Sequence, residues 1–317
     1  MQQPAPNTNR NVKLQKKLPL VLTGKLLPGI FLLIITILYS RQLAYSDYGK
    51  FQTVWVLTSL AGTILSFGLP AIILATPSPM LVRYLKEHRS AITTGYCVLL
   101  LVAMSLIWLS TSDFSWYLRA MVALFIVLQT ACIIGETRLI KYNSLRQYVV
   151  INGAYAVIFF SVHIYFLYHS FSLEKLVTVT SLLSAIKLAC LLLVKNDHKL
   201  PEDNFIKISF IKNWMYTGIN EVTGIVTRYL DKVFLLFLLT PADFAIFYNG
   251  AFEIPLFAVV ISAIENVMLS NISEDVSNKT EAKNIFRESF KMLSLITFPV
   301  FFFFLFFHTE TYRFLFD

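Results

Sequence analysis

The chain has 317 residues, of which 56% are hydrophobic and only 15% are charged, and its mean hydropathy is +0.64. Because about a quarter of a soluble chain is charged, this composition excludes an ordinary cytosolic enzyme, a disordered chain and a secreted disulfide scaffold. The net charge of +8 raises nucleic acid as a partner, which the positions of the basic residues must decide.

Mostly apolar runs follow one another along the whole chain, each close to the roughly 20 residues that a membrane-spanning helix needs. We therefore predict an all-α polytopic membrane protein with about nine transmembrane helices. The runs cover residues 20–39, 51–76, 91–110, 115–136, 147–168, 173–194, 213–239, 244–270 and 291–308.

The basic residues predict how the chain is oriented. With a cytoplasmic N-terminus, 18 of the 27 lysines and arginines fall on inside segments and five on outside ends. This asymmetry follows the positive-inside rule, so the basic excess faces lipid headgroups and nucleic acid is not needed to explain it. The remaining four basic residues lie within predicted spans: Lys25, Lys187, Arg228 and Lys232.

The runs and loops suggest four segments. Residues 1–17 form a basic cytoplasmic tail, 18–195 a first six-helix lobe, and 213–317 a partial second lobe of three helices. Between the lobes, residues 196–212 place apolar side chains among Lys207 and Lys212. This segment is predicted to be an amphipathic linker on the inner membrane surface, and a solvated loop remains the alternative.

A short motif occurs twice, each time on a predicted outside hairpin. Leu43-Ala-Tyr-Ser-Asp47-Tyr48-Gly-Lys-Phe51 and Leu239-Thr-Pro-Ala-Asp243-Phe244-Ala-Ile-Phe247 share the pattern Leu-x-x-x-Asp-aromatic-x-x-Phe. Six spans separate the copies, so both have the same orientation and indicate a parallel repeat. A complete second lobe needs three further helices, and we therefore expect the chain to be a C-terminally shortened member of a larger family.

Two stretches around these motifs resemble Wzx-type polysaccharide flippases of the multidrug/oligosaccharidyl-lipid/polysaccharide exporter superfamily. The first is Ser40-Arg41-Gln-Leu43 leading to Asp47-Tyr48-Gly49-Lys-Phe51, and the second is Tyr229-Leu-Asp231-Lys232 leading to Asp243-Phe244-Ala-Ile-Phe-Tyr248-Asn-Gly-Ala251. The resemblance covers about residues 18–317.

This resemblance implies two six-helix lobes around a central cavity that opens alternately to each side. The implied activity is the transfer of undecaprenyl-diphosphate-linked oligosaccharides across the bacterial inner membrane. The implied partners are that lipid-linked substrate, membrane lipids and polysaccharide polymerase machinery. The missing helices of the second lobe set this chain apart from the family pattern.

Charged residues inside spans are expensive and usually face protein or a water-filled cavity. On the seventh span, Arg228 lies about 20° to one side of Glu221 and Lys232 about 20° to the other, so the three form one stripe. Asp231 lies about 80° from Glu221. One interpretation is a cavity wall whose basic residues attract a diphosphate or an acidic sugar. The other is a self-neutralised structural cluster.

The other intramembrane charges allow similar pairs of interpretations. Lys25 is predicted either to bind the lipid diphosphate at the inner side or to reach the headgroups. Lys187 lies deeper, which favours a cavity role, and Glu253 is predicted to be a counter-charge or a proton site. Arg41 lies at the end of the first span. It is predicted to be either part of a gate or an interfacial anchor.

No catalytic or metal site is predicted. The five histidines lie on different segments without ligand spacing, the three cysteines lie in apolar runs, and no glycine-rich phosphate loop is present. We therefore predict no cofactor and no enzyme activity.

Three alternatives to a flippase remain. An ion-coupled drug exporter of the same superfamily needs an acidic site in the first lobe, whereas Asp113 and Glu136 are predicted to lie at span ends. A truncated remnant would insert without transporting. A polysaccharide polymerase or ligase is less favoured because the predicted outside loops are short.

Overall fold

The computed structural model describes residues 8–194, 210–251, 255–272 and 279–316. Twelve α-helices occupy these ranges, and no strand occurs within them, so the predicted all-α fold is confirmed. The helices are α1 Thr8–Gln42, α2 Tyr45–Ser66, α3 Leu69–Ala75, α4 Ser78–Glu87, α5 Arg89–Ser110, α6 Trp116–Lys141, α7 Leu145–His169, α8 Leu173–Leu193, α9 Phe210–Leu238, α10 Pro241–Gly250, α11 Pro255–Ile272 and α12 Lys279–Phe316.

Six described stretches are long and apolar enough to cross a membrane, and the bent pair α2–α3 makes a seventh. The polytopic membrane fold is therefore confirmed. The six stretches are Lys17–Gln42, Arg89–Ser110, Trp116–Lys141, Leu145–His169, Leu173–Leu193 and Phe286–Thr311.

Two of the nine predicted spans do not pass this test of length and composition. The seventh corresponds to α9, which carries five charged residues along its length, three of them in its second half. The eighth is divided between α10 and α11, and both are short. That these two segments span the membrane therefore stays a prediction, and so does the total of nine spans.

Two helices begin before the predicted boundaries of their segments. Helix α1 begins at Thr8, within the predicted basic tail, and α9 begins at Phe210, within the predicted linker. Most of that linker, residues 196–209, lies outside the described residues. The division into two lobes stays a prediction.

Helix α2 is central to the packing, because it contacts α5, α6, α9 and α10. The largest apolar core surrounds it and includes the fully buried Tyr39, Leu57 and Ile126. Helix α1 packs along both α7 and α11, while α6 packs on α8. The first and second parts of the chain therefore meet along two seams, α1 with α11 and α2 with α9 and α10.

The span formed by α2 and α3 bends by 49° where the two helices join. Phe67 and Gly68 adopt positive φ angles of 39° and 72° at this junction. Glycine suits the second position because it has no β-carbon to oppose that conformation. A β-carbon on Gly68 would lie 2.7 Å from the backbone nitrogen of Gly218, so the bend touches the backbone of α9.

The two copies of the repeated motif each begin a helix, and the two helices pack against each other. Asp47 and Asp243 lie in the first turns of α2 and α10, respectively. The Tyr48 hydroxyl donates a hydrogen bond to Asn249 Oδ1 at 2.8 Å across the contact. A β-carbon on Gly49 would lie 1.7 Å from the Pro241 carbonyl oxygen, so only glycine permits this approach.

We expect Gly49→Ala to lower the thermal unfolding midpoint of the purified protein in detergent. The added methyl group must separate α2 from the Pro241 backbone, and overpacking of this kind costs about 1–3 kcal/mol. Gly224→Ala is the matched control, since a β-carbon on that helical glycine has no neighbour within 4 Å. An unchanged midpoint for Gly49→Ala would show that the close α2–α10 approach is not needed.

Candidate functional site

A buried ion pair lies inside the first group of helices. Lys187 Nζ on α8 is 2.6 Å from Glu136 Oε1 on α6, and the two side chains are 6% and 17% exposed. The ammonium also lies 4.3 Å from the centre of the Tyr155 ring on α7. The lysine charge is thus neutralised by a carboxylate and an aromatic face from two other helices.

Glu136 departs from the sequence-based interpretation, which placed it at the end of a span. Helix α6 continues five residues further to Lys141, and Leu139 and Ile140 in that extension are buried. The carboxylate is therefore inside the helix bundle, about 8 Å from the end of α6 at 1.5 Å per residue. A repeating polar face, Gln129 and Glu136 two turns apart, was the signal available in the sequence.

Uncharged polar groups surround the ion pair and join the same three helices. Gln129 Nε2 donates to the Tyr155 hydroxyl at 2.5 Å and to Ser184 Oγ at 3.1 Å. The buried Cys132 thiol donates to the Ser184 carbonyl oxygen at 3.4 Å. This network fixes α6, α7 and α8 relative to one another, because buried polar groups without partners are costly.

Lys25 lies where the first helices meet the second part of the chain. Its Nζ donates to the Ser262 hydroxyl on α11 at 2.5 Å, so the ammonium contacts protein. It also interacts electrostatically with Glu136 and Glu265. Counted from the outer end of α1 at Gln42, Lys25 is about 25 Å deep, in the half predicted to face the cytoplasm.

The charged residues of α9 do not share one environment. Lys232 is buried, and its Nζ lies 5.0 Å from the centre of the Tyr229 ring. Arg228 and Asp231 are exposed, and Glu221 is partly buried with its carboxylate near the Gly68 backbone amide. The stripe predicted from helical periodicity therefore divides into a buried and an exposed part.

Glu265 connects the two parts of the site. This exposed residue of α11 interacts electrostatically with Lys25 on α1 and with Arg228 on α9. Charge spacing along one helix could not reveal this connection, because it does not show which residues of other helices lie opposite. Lys25, Arg228, Glu221 and Glu265 thus surround one region between α1, α9 and α11.

Arg41, another predicted site residue, lies apart from this region. Arg41 is exposed at the other end of α1, where its Nη2 donates to the Phe314 carbonyl oxygen of α12 at 2.5 Å. This contact joins the ends of the first and last helices. Glu253 lies outside the described residues.

Among the described residues, the cations near Lys25 each interact with a carboxylate. Lys187 pairs with Glu136, Lys25 interacts with Glu136 and Glu265, and Arg228 interacts with Glu265. A cluster of this kind can bind an anion when the anion replaces one of the carboxylates beside a lysine. Within the described residues, no group of three or more His, Cys, Asp or Glu side chains is placed to hold a metal ion.

Comparison with known families identifies the class of protein that this helical membrane fold represents. A family model described as "Polysaccharide biosynthesis protein" matches residues 38–316. The chain is therefore a membrane protein of the polysaccharide biosynthesis family. No curated protein and no solved structure matches it.

We expect Glu136→Gln to destabilise the protein by about 3 kcal/mol or more, because it leaves the Lys187 ammonium buried without an anion. The measurement is the free energy of unfolding of the purified protein in mixed detergent micelles. The double variant Glu136→Gln/Lys187→Met should recover most of the loss. The control is Glu288→Gln, which removes an exposed pair with Lys291 and should change stability by about 1 kcal/mol or less. Equal losses for both single variants would contradict a structural role for the pair.

Proposed function

We propose that this protein transfers polyprenyl-diphosphate-linked oligosaccharides, with undecaprenyl as the lipid of the Wzx type, from one face of the membrane to the other. The observation that carries the proposal is a lysine, Lys25, within an apolar helix at the seam between the two parts of the chain. Membership in the polysaccharide biosynthesis family supports a sugar-bearing lipid as its ligand.

In this proposal, Lys25 binds the diphosphate. Its contact in the structure is a neutral hydroxyl, Ser262, while Glu136 and Glu265 act on it electrostatically. A diphosphate offers more negative charge and more acceptor oxygens than either carboxylate, so it competes well for the ammonium. Glu136 keeps Lys187 as its partner when the diphosphate arrives, and no charge is left alone.

The residues of α9 line the path taken by the cargo. Arg228 adds a second cation opposite Lys25, with Glu221 and Asp231 as counter-charges. Lys232 extends the polar region further toward the predicted outer side, and Glu253 stays a predicted counter-charge or proton site. Arg41 acts at the outer end, where its contact with α12 opens when the cargo leaves.

Transport proceeds by alternating access, without a covalent step or a cofactor. The two seams, α1 with α11 and α2 with α10, open in turn on the two sides of the membrane. We place the protein in the bacterial inner membrane with its N-terminus in the cytoplasm, on the distribution of 18 basic residues against five. Polymerase machinery would then receive the cargo on the outer side.

A second candidate is an ion-coupled exporter of drugs or other solutes. The observation that favours it is Glu136, a carboxylate that is buried among the first helices, whereas the sequence predicted it at a span end. Its pairing with Lys187 weighs against this candidate, because the carboxylate already has a buried lysine as its partner. Uptake of a dye by energised vesicles, with and without a proton gradient, distinguishes this candidate.

We expect Lys25→Gln to slow transfer of a fluorescent polyprenyl-diphosphate trisaccharide in proteoliposomes by about 10-fold to 100-fold. Loss of a charge-assisted hydrogen bond, worth about 1.5–3 kcal/mol, sets this range. Lys86→Gln is the control, since that lysine is exposed and lies on the same predicted side. Transfer at the unaltered rate by Lys25→Gln would exclude Lys25 as the diphosphate ligand.

A cell-based assay tests the α9 residues. In a strain without its own flippase, we expect the unaltered chain to restore surface polysaccharide, and Arg228→Ala and Lys232→Ala to restore visibly less. Quantified surface polysaccharide is the measurement. Full restoration by both variants would remove α9 from the cargo path, and failure of the unaltered chain would favour a protein that inserts without transporting.

A further inference from the structure

A buried amide on α2 makes no hydrogen bond. Gln52 is 0% exposed, and neither its Nε2 nor its Oε1 has a partner. Burying such a group without a partner costs about 1–3 kcal/mol. A leucine of similar size would avoid this cost, so the amide points to a second arrangement in which its donor and acceptor are used.

Gln52 faces the contact between the two repeat copies. It follows Tyr48 by four residues and precedes Val56 by four, so the three side chains share one face of α2. Tyr48 bonds to Asn249 of α10, and Val56 packs with Phe244 and other apolar residues of the same helix. The amide therefore lies between α2 and α10, in a seam that the proposed cycle opens.

We propose that Gln52, together with Tyr48 and Asn249, forms a subsite that binds sugar hydroxyl groups of the cargo when α2 and α10 separate. This inference rests on the proposed function and assigns the part of the cargo that Lys25 does not bind. A primary amide presents donor and acceptor together, as a sugar hydroxyl does, and a phenol and a second amide are adjacent. The three side chains have no charge, which suits a neutral sugar.

The depths of Gln52 and Lys25 in the membrane agree with separate binding of the sugar and the diphosphate of one cargo molecule. Gln52 is about 10 Å from the outer end of α2, whereas Lys25 is about 25 Å from the outer end of α1, at 1.5 Å per residue. The two groups are therefore about 15 Å apart in depth. A cargo whose diphosphate is at Lys25 extends its sugars toward Gln52 and the predicted outer side.

Two probes separate the roles: a fluorescent polyprenyl-diphosphate trisaccharide and the same polyprenyl diphosphate without sugar. Binding to the purified full chain is measured by fluorescence polarisation. Gln52→Leu should weaken binding of the trisaccharide probe about fivefold to tenfold, as expected for one or two lost hydrogen bonds, and leave the sugar-free probe unchanged. Lys25→Gln should weaken binding of both probes.

Thr53→Val is the matched control, because this buried neighbour on α2 already donates its hydroxyl hydrogen bond to the Gly49 carbonyl oxygen within its own helix. It should bind both probes as the unaltered protein does. Gln52→Leu should also raise the thermal unfolding midpoint, since it removes the unpartnered amide. This keeps lost sugar binding distinct from misfolding.

Three outcomes overturn the subsite. If Gln52→Leu weakens binding of both probes equally, or of neither, the amide does not contact sugar. Binding of neither probe by the unaltered protein contradicts the proposed function itself, and the subsite with it. A Lys25→Gln variant that binds both probes normally while Gln52→Leu loses the trisaccharide contradicts only the diphosphate assignment.

Discussion

The ion pair between Lys187 and Glu136 is the constraint on which the first helices depend. An ammonium and a carboxylate within the apolar region must meet, because either one alone costs several kcal/mol there. Their contact joins α6 to α8, and Tyr155 brings α7 to the same point. Glu136 also acts on Lys25, so the pair that holds this group of helices together sets the electrostatic environment of α1.

The sequence predicted the apolar helices and the charges within them, since hydropathy and charge depend on the residues alone. It could not predict which charges face each other. Glu136 was placed at a span end because its run of apolar residues stops there, while the helix itself continues to Lys141. Lys187 was expected to face a cavity, and its partner on another helix is visible only in the folded chain.

Uncharged polar residues were harder to find than charged ones. Ser262 and Gln52 lie in apolar helices, and a search for ionisable side chains does not detect them. The repeated motif indicated that Asp47 and Asp243 occupy equivalent positions, which their places in the first turns of α2 and α10 support. That the two copies pack directly on each other depends on glycine at position 49 and on the backbone of Pro241.

The interaction of Lys25 with Glu136 and Glu265 bears on how the proposed carrier of anions would work. A site with unpaired lysines would bind a diphosphate tightly, yet it would be costly to close when empty, because the cations would be buried alone. Carboxylates beside each cation remove that cost in the empty state, and they weaken anion binding in return. In the proposed cycle, sugar contacts at uncharged groups such as Gln52 would add affinity without adding charge. A site with paired charges and a separate contact for the sugar would therefore suit both the loaded and the empty state of the proposed carrier.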